Sequence, residues 1–221
     1  MTRIELSVAN ADLLVGAVEA EGVAVTDSPP ALRALIDELV ARRRAEDFPP
    51  PERKAAIRRL LRAGGFEASG RNKPASEYLA ARAREGAFPF HSNVVDIGNY
   101  ISLLSALPVS VLDTDLALGG ADALSIRLGA EGESYIFNPS GQEIRVQGLV
   151  CVARAGGPAL GSPVKDSMAS KVRPATTRVV AALYAARSAT PEGELRELLE
   201  EFERLLRLHA GAASTSARVL A

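Results

Sequence analysis

Apolar positions along this chain recur in two rhythms. Leu32, Leu35, Ile36 and Leu39 repeat at helical spacing and predict a helix over residues 30–45, with Ser28-Pro29-Pro30 supplying a cap and an N1 proline. The run Phe48-Pro49-Pro50-Pro51 breaks it. A second, basic helix carries Ile57, Leu60 and Leu61 inward and ends at Gly64-Gly65. Pro74 and Ser76 open a third, with Tyr78, Leu79 and Ala83 inward and Gly86 closing it. A fourth runs from about Asn93 to Ala106, with Val94, Ile97, Ile101 and Leu104 on one stripe, and Pro108 forces its end.

From Val109 to Ala153 the rhythm shortens. VSVLD, LSIRL, SYIF, EIRV and LVCVA read as strands, separated by Gly119-Gly120 and Asn138-Pro139-Ser140-Gly141. Arg3–Val8, Leu13–Val25 and the apolar run Arg178–Ala186 read as further strands. Thr190-Pro191 caps a last helix whose inner side is Leu195, Leu198, Leu199, Phe202, Leu205 and Leu206. Beyond Ala210 there is no period, so residues 210–221 are expected to be a flexible tail. No internal repeat is visible. The expectation is one α+β domain over residues 1–209.

Composition changes this picture little. Aromatics are 5% and Trp is absent, so the core is aliphatic. The single cysteine, Cys151, permits no internal disulfide, which fits a reducing compartment. The start reaches Glu5 and Asp12 too early for a secretion signal, and the longest uncharged run, Ile97–Leu112, is interrupted by Asn99 and Pro108. A cytoplasmic protein without membrane attachment is expected.

Charge is more telling. The net charge of −1 gives no global field for nucleic acid. Yet Arg42–Glu85 holds twelve basic and six acidic residues, and Lys165–Arg187 five basic and one acidic. These are either solvated helix faces or patches that meet phosphate.

Much common site chemistry is missing. His91 and His209 are the only histidines, and His209 sits at a helix end where a positive charge suits the dipole. No zinc ligand set, G-x-S-x-G turn, G-x-G-x-x-G or P-loop is present, so no cofactor is expected. Asp113 and Asp115 point the same way on a strand, as an acid pair, a cation site or a strand-end turn.

One stretch carries a resemblance. Asn93, Val95, Asp96, Asn99, Tyr100, Pro108 and Asp113 form N-x-V-D-x-x-N-Y followed by P-x-x-x-x-D. RNKPASEYLAARAREG upstream, Arg127, Gly132 and Glu133 downstream, and Asp166, Ser167, Lys171, Val172 and Thr176 in KDSMASKVRPATTRVV extend it. Together these resemble the B3/B4 tRNA-binding, editing domain of the phenylalanyl-tRNA synthetase β subunit, over roughly residues 1–187, as a stand-alone member. The resemblance implies an α+β fold of layered β-sheets of unusual topology with helices packed on one side. It implies binding of aminoacylated tRNA 3′ ends, with hydrolysis of mischarged esters (trans-editing) as the family's reaction.

Residue by residue, the resemblance implies substrate binding by Asn99, Ser110, Glu133 and Thr176. Departures are specific. The family's threonine before the asparagine is Gly98, its histidine in L-H-A-F-D is Ser110, and the glutamate that meets tyrosine falls at Ala182. A serine hydroxyl orients water but is a poor base alone. If hydrolysis occurs, Ser110 and Asn99 would position water, with backbone N–H groups holding the oxyanion. The alternative is a non-catalytic module for an amino acid or aminoacyl group, and a third is an interaction protein using its basic helices. Asn93 and Asp96 read as helix-start residues. Asn99 reads as pocket lining or as a structural hydrogen-bonding group. Both site hypotheses require a cavity where Asn99 and Ser110 meet.

Overall fold

Strands β2 (Leu13–Glu21) and β9 (Arg178–Ala186) form the centre of the molecule, and almost every residue of both is buried. Their near-continuous apolar sequences follow from being covered on both faces. In this computed structural model, which describes residues 2–221 apart from the Arg71 side chain, they pair antiparallel along their full lengths. β3 (Val109–Asp113) extends the sheet beyond β9, and β10 (Ser214–Leu220) extends it beyond β2. The order is β10-β2-β9-β3.

The stretch expected to be a flexible tail therefore supplies an edge strand. Ser214 pairs with Glu21 and Leu220 with Val15. The sequence hides it because a half-buried edge strand needs only backbone pairing and a few contacts, which Ser, Thr and Ala leave unmarked.

A second sheet is built from β1 (Arg3–Leu6), β4 (Ala123–Leu128), β7 (Val150–Arg154) and β8 (Ala159–Gly161), in that order. β1 runs parallel to β4, and the other pairs are antiparallel. The two sheets stack face to face. Ile4, Ile126 and Val152 from one meet Val15, Leu112 and Val180 from the other, with a void of only about 10 Å³ between them. A small hairpin, β5 (Ser134–Ile136) with β6 (Glu143–Arg145), stands apart.

Helices cover the outer face of the larger sheet. α4 (Asn93–Ser105) and α6 (Glu192–Ala210) lie on it, and α1 (Pro30–Ala45) and α3 (Ala75–Arg84) pack behind α4. α6 approaches β2 so closely that a Cβ at Gly16 would stand 2.7 Å from Leu199 Cδ2. α2 (Pro51–Arg62) closes one end, and the short α5 (Thr114–Leu118) follows β3. The α+β class, the layered sheets and the helices on one side agree with the expectation.

Local details differ in instructive ways. Ser28 does not cap α1; its Oγ donates to Asp96 Oδ2 at 2.6 Å. Thr190 does not cap α6; the N-cap residue is Pro191, which offers no side-chain hydrogen bond. Burial, helped by nearby Arg204, lowers the His209 pKa from its ordinary value and so works against the cation that the helix end suggests. Among the described residues, no helix is long and apolar enough to cross a membrane.

Candidate functional site

Ser110 lies on β3, where side chains alternate between the two faces. Val109 and Val111 face the helices: a Cβ at Gly98 of α4 would lie 2.5 Å from Val111 Cγ2 and 3.7 Å from Val109 Cγ1. Ser110 therefore points the other way, into the space between the sheets. It is 0% exposed, with its Oγ 3.2 Å from both the Ser162 carbonyl and the Tyr184 hydroxyl. Asn99 rides on α4 on the helix side of β3, half-buried, and its amide makes no hydrogen bond among the described residues. The fold thus separates the two residues that the resemblance brought together, and neither the inter-sheet void nor the open depression beside the β5–β6 hairpin is lined by Asn99 or Ser110.

Gly98 explains one departure from the family pattern. The tight approach of α4 to β3 leaves no room for the threonine expected there.

The buried hydroxyl belongs to a larger polar cluster. Asp166 accepts from Val111 N at 3.2 Å and Ser162 N at 3.3 Å, and the Ser110 hydroxyl nearby favours its charged form. Burial pushes its carboxyl up to about 6, against the lowering effect of those donors and of Lys171. Burial holds the Tyr184 and Tyr135 hydroxyls above their ordinary range. The Tyr135 hydroxyl donates to the Lys165 carbonyl at 2.6 Å, with Ser162 Oγ 2.9 Å from its oxygen. Cys151 is buried and its thiol is pushed up by desolvation, so it is inert as a nucleophile.

Thr176 and Glu133 have structural partners. Thr176 Oγ1 donates to Asp113 Oδ2 at 2.5 Å and accepts from Arg173 N at 2.9 Å. Asp113 also accepts from Leu116 N, capping α5, while Asp115 pairs with Arg178. The two aspartates form a strand-end turn. Glu133 receives both guanidinium arms of Arg127 and the amides of Ala130 and Ala159. Arg127 above all holds it down at about 2.

Asn93 and Asp96 also tie the fold together. The Asn93 amide donates to the Ala24 and His209 carbonyls and accepts from Thr26 N and Val94 N. Asp96 accepts from Ser28 and from His91 N, although burial raises its pKa. Neither side chain caps its helix from the Ncap position, which is Ser92.

The basic stretch divides into two classes. Arg53 makes a bidentate pair with Glu194 and bonds to the Ala189 and Ser105 carbonyls, and Arg58 makes one with Glu77. Arg43 bonds to the Leu103 and Leu104 carbonyls. These arginines fasten helices together. Arg59, Arg62 and Lys73 are exposed and make no ion pair among the described residues.

An open depression of about 330 Å³ lies beside this region, lined by Asn72, Phe137, Gln142, Glu143, Ile144 and Lys165. The hairpin β5–β6 forms one wall. The segment after β8 forms another and is held to the start of α3 by Ala75 N donating to the Pro163 carbonyl. The Lys165 ammonium sits 3.6 Å from the Phe137 ring centroid, and Lys171 Nζ donates to the Phe137 carbonyl. Sequence reasoning missed this site. Its residues come from three separate segments, and the only local signal was the Asn138-Pro139-Ser140-Gly141 turn. Among the described residues, no three His, Cys, Asp or Glu side chains come together to hold a metal.

Residues 63–199, more than half of the chain, match the model of a family described as the B3/4 domain. A comparison with curated proteins gave no match.

Proposed function

This chain belongs to the B3/4 domain family, and on that premise we propose that it binds the aminoacylated 3′ end of a tRNA. The observation that carries the reading is the family match over residues 63–199, which includes the N-x-V-D-x-x-N-Y motif and both walls of the open depression. Exposed Arg59, Arg62 and Lys73 add positive charge for phosphates. On this reading the protein works in the cytoplasm, where tRNAs are charged.

Binding comes ahead of ester hydrolysis in this proposal. Water directed by Asn99 and Ser110 together would need both side chains at one substrate, and they lie on opposite sides of β3. The non-catalytic reading of the motif is therefore the better supported one.

The test is a titration of the protein with aminoacylated and deacylated tRNAs at two salt concentrations, with a deacylation assay across a full set of aminoacyl-tRNAs. Tighter binding of the aminoacylated form, weakening with salt, is the expected result. Equal or undetectable binding of both forms overturns the proposal. Deacylation that depends on both Asn99 and Ser110 overturns the ordering of binding over hydrolysis.

A further inference from the structure

β10 is an edge strand without the protection that the other sheet edges in this fold carry. A free edge presents unpaired N–H and C=O groups, and proteins blunt it with shortness, charge, bulges or a covering segment. β1 is four residues long and carries the exposed Arg3–Glu5 ion pair. β8 is three residues long, and its pairing with β7 is irregular between Val152 and Ala153. β3 is covered: the Asp166 carboxylate takes Val111 N, and Lys171 bridges to Leu112.

β10 runs for seven residues, roughly 24 Å, in unbroken register with β2. It holds no proline, and no other strand lies along its outer edge among the described residues. Its one charged residue, Arg218, is turned inward, where the guanidinium bonds to Glu19 and to the Thr2 carbonyl. Ala217, Val219 and Leu220 are left half-buried at this edge. β10 also lies outside residues 63–199, so the edge is no part of the segment matched to the family.

The strand is complementary to itself. Two copies related by a two-fold axis pair antiparallel. Opposite residues share one hydrogen-bonding type, so the axis must pass beside a residue and its own copy. Ala217 is the middle of the seven, and centring there uses the whole strand. Thr215 then faces Val219 of the copy, and Arg218 faces Ser216, so no like charges meet. α6 adds charge complementarity, since it packs on both β2 and β10. Arg207 reaches the Thr215 hydroxyl and pairs with Glu203, which places both side chains on the β10 side of the helix. The two-fold reverses their order in the copy and sets acid toward base across the axis.

We infer that β10 is a self-association surface. Two copies of this chain join their larger sheets into one through an isologous, antiparallel β10–β10 contact centred on Ala217. The inference is independent of the RNA reading.

Sedimentation velocity of the full chain across a range of concentrations measures self-association, and three substitutions locate it. Ala217→Cys puts two thiols at the axis, where opposite Cα atoms are about 4.5–5.5 Å apart and within disulfide reach. Ser214→Cys puts them roughly 20 Å apart, beyond it. Cys151 is buried and does not compete. Ser216→Arg sets a new guanidinium opposite Arg218 of the copy, twice per dimer, and opposite Glu19 within the protomer. The expected results are a concentration-dependent dimer, a disulfide-linked dimer from Ala217→Cys but not from Ser214→Cys on mild oxidation, and about tenfold weaker association of Ser216→Arg. A thermal melt of each variant checks folding.

A wild-type chain that stays monomeric at millimolar concentration overturns the inference, including where β10 takes up a strand of another protein instead. A dimer that Ser216→Arg leaves unchanged and that Ala217→Cys does not link is formed elsewhere, and overturns it equally.

Discussion

Asn99 and Ser110 lie on opposite sides of strand β3. Asn99 belongs to the helix that covers Val109 and Val111, whereas the Ser110 hydroxyl is sealed against Ser162 and Tyr184 between the sheets. Ser110→Ala is accordingly expected to leave aminoacyl-tRNA binding unchanged. Its effect falls on stability, at about 1 kcal/mol for one lost buried hydrogen bond. Paired binding and urea-unfolding measurements check both halves. A large loss of binding at unchanged stability contradicts the sealed geometry.

Gly98→Thr restores the family's residue and is expected to destabilise. The added Cβ starts 2.5 Å from Val111 Cγ2, so α4 must lift from β3 at a cost of about 1–3 kcal/mol. Combining it with Val111→Ala recovers part of the loss if the clash is the cause. Thermal melts of the single and double variants decide the point.

Asn93→Ala strips four hydrogen bonds from a residue that is 1% exposed. The partly buried carbonyls of Ala24 and His209 lose a donor and the amides of Thr26 and Val94 lose an acceptor, so the expected cost is about 2–4 kcal/mol. Asn93→Asp keeps the acceptor contacts and loses the donors, and separates the two contributions. Urea unfolding of both variants measures them.

Removing residues 214–221 takes β10 from the sheet and uncovers the edge of β2. The truncated protein is expected to melt roughly 4–8 °C lower, the equivalent of about 2 kcal/mol in a chain of this size. An unchanged melting temperature means that the strand contributes nothing to stability.

Asp166 gives a pH signature. Its folded value of about 6 lies above the ordinary 3.8, so the folded state binds a proton that the unfolded chain has released in that window. Stability from this group therefore falls as pH rises from about 4 to about 6, then stays level. Glu133 acts in the other direction: its contribution is complete above the ordinary 4.5 and is lost as pH falls toward about 2. Urea unfolding at pH 4–8 shows the first effect. Asp166→Asn removes that slope, and an unaltered slope in the variant refutes the assignment.

The chain itself determined much of this architecture. Helical spacing of Leu32, Ile36 and Leu39, and of Leu195, Leu199 and Phe202, marks faces that are buried as expected. The short runs VSVLD and LSIRL are strands with nearly the predicted ends. The motif around Asn93–Tyr100 identified the family, because motifs and periodicity are local and need no partner to be read. Pairing across the chain could not be read this way. Which side of β3 Ser110 occupies depends on the sheet's register and on which layer covers each face, and a one-residue shift would reverse it. That Arg53 serves Glu194 rather than phosphate, and that Asn72, Phe137 and Lys165 share one depression, depends on contacts between residues far apart in sequence. The tertiary structure alone decided these, since burial and charge pairing are set by neighbours in space.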